Sequence, residues 1–247
     1  MPRRFDAVIS DIDGCLSPEA SEPFDTPALA QLAEHNRLAY ERGDRPVVTL
    51  CSGRPEPFVE AMCRLLGNRS LPAVAENGVW LFHPAANGWD RDPAIRPEHL
   101  RAVQDAAAWV ETELGPLGVV MQPGKAASLS LWHPDAAYLR SLEGRVREAF
   151  GREGWPLRVS MTWFYINCDL EFVSKATGVR RLVEAAGLSR ERLAGIGDTP
   201  SDEAIAAGVS WFACPANADE RLKARADYVS PRREVEGVLD ILEHLPR

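Results

Sequence analysis

Phe5-Asp6-Ala7-Val8-Ile9-Ser10-Asp11-Ile12-Asp13-Gly14 sets the reading of the whole chain. Residues 5–10 are a short β-prone run without polar alternation, the pattern of a strand buried on both faces. The run stops at two aspartates, and Gly14 permits a sharp turn after them. Similar runs recur outward from it: Pro46–Cys51, Pro72–Ala75, Leu193–Ile196, Val209–Cys214 and Asp227–Val229. Helical patterns lie between the runs. One covers Pro27–Arg42 with Thr26 as N-cap, and a second covers Pro57–Leu66. A third, from about Thr177, carries Val179, Leu182, Val183 and Ala186 and ends at Gly187. A last one carries Val235, Val238, Leu239 and Leu242. Strand and helix in repeated alternation predict an α/β fold with a doubly wound parallel sheet.

The middle of the chain breaks that rhythm. Residues 83–97 are rich in Pro, Gly, Asn and Asp and read as a linker or hairpin turn. A helix follows, with Leu100, Val103, Ala107, Val110 and Leu114 on one face. Strand-like segments come next at 119–122 and 126–132. Pro134 then opens a second helix, and segments at 157–162 and 164–172 close the insert. The expected organisation is a core of residues 1–82 and 168–247 around an inserted α+β (αββαββ) domain, residues 83–167.

The bulk composition excludes several function classes. The chain has 247 residues, 45% hydrophobic and 26% charged, with a formal charge of −8. An acidic chain lacks the basic face that nucleic acids and acidic membranes require, although a local site can still take a small anion. No apolar run is long enough to span a bilayer. The five cysteines are odd in number and form no CxxC, which predicts reduced thiols and a cytoplasmic location.

In an open parallel sheet, ligands bind beyond the carboxyl ends of the strands. Three strand ends carry competent residues: Asp11 and Asp13; Ser52, Gly53 and Arg54; and Gly197-Asp198 with Asp202. Lys175 stands just before a predicted helix. It is one of three lysines, with Lys125 and Lys223, in a chain otherwise using arginine. Asp11, Asp13 and Asp198 brought to one point would repel, and a hard divalent ion resolves this. Mg²⁺ takes one or two carboxylates plus substrate phosphate. Ser52, the amides after it and Lys175 can hold the other phosphate oxygens. Each piece alone has an ordinary reading as a turn, a helix cap or a solvated lysine. They form a site only if the α/β fold brings them together.

These pieces, in this order, resemble the four motifs of the haloacid dehalogenase superfamily of phosphatases. Asp11-Ile12-Asp13-Gly14, Ser52, Lys175, and Gly197-Asp198 with Asp202 match motifs one to four. Glu76-Asn77-Gly78 and Pro215-Ala216-Asn217-Ala218 are similar to elements of its Cof-like and sucrose-phosphatase-like branch. The insert between motifs two and three resembles a C2b-type cap. Cys15, Ala176 and Thr199-Pro200-Ser201 depart from the branch's usual residues, without removing a charged group.

The resemblance implies a Rossmann-like core and a Mg²⁺-dependent phosphomonoester hydrolase. Asp11 is then the nucleophile and Asp13 the general acid and base. The metal is held by Asp11, the Asp13 main-chain carbonyl and Asp198. Ser52, Gly53 and Lys175 bind the phosphoryl group, and Asp202 orients Lys175 or a metal-bound water. Arg54, Asn77 and Lys125 are candidate substrate contacts. Trp132, Trp163 and Tyr165 are candidates for stacking on a sugar or for packing. The implied partner is a small phosphorylated metabolite such as a sugar phosphate, with no nucleic acid and no membrane, and the protein is a monomer or homodimer. A phosphotransferase of the phosphomannomutase type and a non-catalytic binding module remain the alternatives.

Overall fold

The structure, a computed structural model, describes residues 3–18, 22–162 and 164–246. Trp163 therefore lies outside the described residues. The chain divides into two compact units, residues 1–90 with 175–247 and residues 91–174. In chain order the first unit contributes β1 (Ala7–Ser10), α1 (Thr26–Arg42), β2 (Val47–Leu50), α2 (Glu56–Leu65), β3 (Ala73–Ala75), β4 (Trp80–His83) and β5 (Gly88–Arg91). The second contains α3 (Pro97–Glu113), β6 (Val120–Met121), β7 (Ser128–Trp132), α4 (Ala136–Glu153), β8 (Leu157–Met161) and β9 (Ile166–Leu170). The chain then returns to the first unit with α5 (Lys175–Ala186), β10 (Leu193–Ile196), α6 (Glu203–Gly208), β11 (Trp211–Cys214), α7 (Glu220–Lys223), β12 (Tyr228–Val229) and α8 (Glu234–Glu243).

The first unit is built on a parallel five-stranded sheet in the order β12-β11-β10-β1-β2. All four residues of β1 are buried, because helices cover both faces. Val8, Val48, Leu50, Ala194 and Ile196 pack in one core cluster with residues of α1, α2 and α8. Ala7, Ile9, Leu193 and Phe212 pack on the other side with Val179, Leu182 and Ile205. Successive strand residues thus feed opposite cores, as the pleat requires.

The chain leaves β1 for β2 on one side and reaches β10 on the other, so β1 stands at a topological switch point. Ser10 is in register with both Leu50 and Ile196. The residues that follow these three positions therefore emerge at one edge of the sheet.

Two local expectations are corrected. Asp25, not Thr26, caps α1: its Oδ1 accepts the Ala28 N–H at 3.0 Å, and Pro27 sits in the first turn. A carboxylate at the helix N-terminus also meets the macrodipole favourably. β3 is not a member of the large parallel sheet. It heads a three-stranded sheet β3-β4-β5, antiparallel to β4, with one bridge from Val74 to Cys51. Residues 83–97 supply the turn of that sheet's second hairpin and the lead into α3.

The second unit is an antiparallel sheet in the order β6-β7-β9-β8 with α3 and α4. Its elements run helix, strand, strand, twice. Leu129, Leu131, Val159, Ile166 and Cys168 are buried at alternate positions. Between them lie Ser128, Ser130 and Asp169, also buried. Among the described residues no helix is long and apolar enough to cross a membrane.

Candidate active site

Asp11 follows β1 directly, and its N–H still pairs with the Ile196 carbonyl at 3.1 Å. Its side chain is buried. Oδ1 accepts the Ile12 N–H at 2.7 Å, and Oδ2 accepts a proton of Lys175 Nζ at 2.7 Å. Lys175 is the first residue of α5, which starts two residues earlier than its apolar periodicity indicates. The same ammonium donates to Asp202 Oδ1 at 2.6 Å. Asp202 Oδ2 is occupied too. It accepts the N–H groups of Asp198 and Thr199, at 3.1 and 3.0 Å, and the Thr199 hydroxyl at 3.2 Å. With both oxygens engaged, Asp202 serves to aim Lys175 and to brace the Asp198 loop.

Burial and the neighbouring charge of Asp202 push the Asp11 carboxyl up to about 7, with Lys175 pulling the other way and Asp13 adding to the rise. Burial works against the Lys175 ammonium, yet the carboxylates of Asp11 and Asp202 outweigh it and hold its pKa well above the usual lysine value. Lysine, a compact charge with three donors, can bridge two carboxylates in this space.

Asp198 is brought to the same point by the Gly197 turn, and its carbonyl is tied to the Asp219 N–H at 2.7 Å. Side-chain oxygens of Asp11, Asp198 and Asp202 lie within 4.8 Å of one another. Gly14 makes this approach possible. It has φ of +72°, and a Cβ there would stand 1.9 Å from Asp198 Oδ2. The Gly14 carbonyl accepts from Asn217 Nδ2 at 2.8 Å, and Asn217 Oδ1 accepts the Glu234 N–H at 2.8 Å. Asn217 thus ties the motif-one turn to the start of α8. The neighbouring Cys15 thiol is pushed well up by burial and by the charge of Asp198, so it stays a neutral, packed thiol.

Asp13 stands apart from that carboxylate cluster. Its carboxylate is paired with Arg54, whose Nε donates to Oδ1 and Oδ2 at 2.9 and 2.8 Å while Nη2 also donates to Oδ1. Arg54 belongs to the turn after β2. Ser52 is buried there, and its Oγ accepts the Arg54 N–H at 3.2 Å. The Asn77 N–H pairs with the Ser52 carbonyl, and the Glu76 N–H with the Arg54 carbonyl, both at 3.0 Å. Glu76 and Asn77 adopt left-handed φ of +46° and +54° to do so. A Cβ on Gly53 would lie 3.0 Å from Asn77 Oδ1, so the glycine lets this loop close against Asn77.

The fold therefore brings together Asp11, Asp198, Asp202 and Lys175, and beside them the Asp13–Arg54 pair. Ser52, Gly53 and Asn77 form an adjoining locked loop. Lys125 belongs to the second unit, where its ammonium donates to Ser130 Oγ at 2.6 Å. Sequence reasoning missed the bracing role of Asn217 and the partner of Asp13. Neither leaves a local signal, because each contact joins segments remote in the chain.

The donor set suits a hard divalent cation. Four carboxylates, Asp11, Asp13, Asp198 and Asp202, face two cations, Lys175 and Arg54, so two formal negative charges remain at one spot. All the candidate ligands are oxygens, the chemistry Mg²⁺ prefers.

Residues 124–242 match the haloacid dehalogenase-like hydrolase family. That match spans just under half of the chain and, with the full-length relatives, supports its placement among the haloacid dehalogenase-like hydrolases. Phosphoglycolate phosphatases from Methanospirillum hungatei and Halorubrum lacusprofundi are 25% and 29% identical to it, over 95% of this chain and 94% and 95% of theirs. A phosphoglycolate phosphatase from Methanothrix thermoacetophila is 34% identical over 90 residues, which span 36% of this chain and 40% of that protein. Within the family this chain is a phosphatase. Its fold is shared by a Thermoplasma acidophilum protein, with a TM-score of 0.72, 22% identity and 98% of each chain covered. It is shared as well by the sucrose-phosphatase of Synechocystis, with a TM-score of 0.69, 18% identity and 98% of each chain covered.

Proposed function

We propose that the chain is a Mg²⁺-dependent phosphomonoester hydrolase that works through an aspartyl-phosphate on Asp11. The observation that carries this reading is the Lys175 ammonium, held between Asp11 and Asp202 beside Asp198. Such an arrangement orients a buried carboxylate for attack on phosphorus. Asp11, Asp198 and the Asp13 main-chain carbonyl would hold the ion. When bound, Mg²⁺ offsets phosphate charge and orients the phosphoryl group for in-line displacement.

The remaining roles fall to this chain's own side chains. Lys175 and Ser52, with the amide of Gly53, bind the phosphoryl oxygens. Asp11 Oδ attacks phosphorus as the ester bond to the leaving alkoxide breaks, and Asp13 supplies that alkoxide with its proton. Asp13 then takes a proton from the water that cleaves the acyl phosphate, releasing inorganic phosphate and restoring Asp11. Asp202 keeps Lys175 in place throughout. Losing one preorganised contact of this kind costs about 3 kcal/mol, or 10²- to 10³-fold in rate.

The substrate is a small phosphorylated metabolite. The name shared by the relatives that align along the full chain brings 2-phosphoglycolate forward as the first candidate. A sugar phosphate, the class implied by the sequence resemblance, is the second. The described cysteines are all free and buried, which fits a reducing, cytoplasmic setting.

A panel of phosphomonoesters with Mg²⁺, scored for phosphate release, tests this reading beside Asp11→Asn. Wild type releases phosphate from at least one member and Asp11→Asn from none. Full activity in the variant would remove the covalent mechanism. Turnover of a sugar phosphate without free phosphate would point to transfer to a second acceptor.

A further inference from the structure

Both oxygens of the Asp13 carboxylate lie on the guanidinium of Arg54. The pair is reached by solvent, with side-chain exposures of 20% for Arg54 and 26% for Asp13. The root of Arg54 is fixed in the phosphate loop, through its N–H on Ser52 Oγ and its carbonyl on the Glu76 N–H. Its guanidinium also packs over the Phe58 ring, 5.1 Å from the centroid. Arg54 therefore reaches from the loop that holds Ser52 to the carboxylate assigned to the leaving group.

Two consequences follow from that span. With both oxygens on the guanidinium, Asp13 is oriented by Arg54, so loosening the fork gives its carboxyl group freedom to turn toward an ester oxygen. The group best matched to take the fork is a second carboxylate, because guanidinium recognises two coplanar oxygens at once. The position is also suitable. An ester oxygen served by Asp13 would bring its carbon beside that residue, and a carboxylate on that carbon would come within reach of the guanidinium.

We propose that Arg54 is the specificity-determining residue of this site: a substrate carboxylate attached to the ester carbon takes the guanidinium fork from Asp13 and so releases Asp13 toward the ester oxygen. The class selected is a 2-phospho-carboxylate, of which 2-phosphoglycolate is the smallest. A substrate with a hydroxyl in that place has no equivalent claim on the fork. The assignment rests on the phosphatase reading above and adds to it the residue that reads the leaving group.

The test compares phosphate release from 2-phosphoglycolate and from 2-hydroxyethyl phosphate, in wild type, Arg54→Lys and Arg54→Gln, all with Mg²⁺ and with thermal melts alongside. A charge-assisted bidentate pair gives a wild-type kcat/KM ratio on the order of 10- to 100-fold in favour of the carboxylate. Arg54→Gln brings the ratio near one, and Arg54→Lys, which keeps the charge without the fork, falls between. A wild-type ratio near one overturns the assignment. So does a ratio that survives in the variants while both substrates slow by the same factor, since that marks a purely structural ion pair. Should Arg54→Gln fail to fold, the lysine variant and the wild-type ratio decide. If wild type hydrolyses other esters but neither of these two, the Arg54 assignment falls and the phosphatase reading stands. If it releases phosphate from no ester, both fall.

Discussion

Lys175 Nζ sits 2.7 Å from Asp11 Oδ2 and 2.6 Å from Asp202 Oδ1, so one buried ammonium joins the end of β1 to the loop after β10. Removing one member of such a group leaves the others charged without compensation. Lys175→Met should lower unfolding stability by about 3 kcal/mol or more. Urea denaturation in metal-free buffer measures this, and Lys175→Met combined with Asp202→Asn should recover part of the loss. A single variant as stable as wild type would show that the ammonium contributes little to the fold.

The stability of the metal-free protein should fall as pH rises from about 4 to about 7. Burial and the charge of Asp202 raise Asp11 from 3.8 to about 7, so the folded state holds its proton where the unfolded chain has released it. That contribution is fully present below the unfolded value and is lost as pH passes through the folded one. Glu56 acts in the same sense, raised from 4.5 to about 7 by burial and by Glu60 and Glu76. Melting temperature against pH, with chelator present, should decline less steeply for Asp11→Asn and for Glu56→Gln than for wild type. Slopes equal to wild type in both variants would rule these groups out as the cause.

Mg²⁺ should stabilise the folded chain by mass action, by about 2.7 kcal/mol at a free concentration 100 times its Kd. Asp198→Asn should abolish most of that gain. Gly14→Ala should do so too, because a Cβ would stand 1.9 Å from Asp198 Oδ2 and force the carboxylate away. Thermal shift with and without Mg²⁺ gives the answer. A Gly14→Ala protein with an unchanged Mg²⁺ response would mean that the turn relaxes at no cost to the site.

Asn36 makes a prediction about the fold alone. It is buried in α1, donates to the Val48 and Leu66 carbonyls at 3.1 and 2.9 Å, and accepts the Val48 N–H at 2.8 Å. Asn36→Leu would strand these groups and cost about 3 kcal/mol. Chemical denaturation should show the loss, while kcat at a temperature where the variant is folded stays near wild type. A comparable fall in kcat would indicate that α1 is coupled to the chemistry.

Much of this was legible in the chain itself. The runs at β1, β2, β10 and β11 are mostly apolar, Ser10 and Thr49 excepted, because helices cover both sheet faces, and burial of that kind writes itself into composition. Each strand end then carries its chemistry within two residues: Asp11 directly after β1, Ser52 two past β2, Asp198 two past β10. β3 was harder. Three apolar residues look the same in a parallel and an antiparallel ladder, and only its pairing with β4 placed it in the smaller sheet.

By itself the sequence determined the alternation of strand and helix, and which charged residues stand where strands end, because local periodicity and turn chemistry act within a few residues of each other. Tertiary structure alone decided the partners. Lys175 met Asp11 and Asp202, Asp13 met Arg54 across 41 positions, and Asn217 met Gly14 across 203. A charged side chain settles on whichever opposite charge or hydrogen-bonding group the packed core brings within about 3 Å, and sequence separation carries no record of that distance.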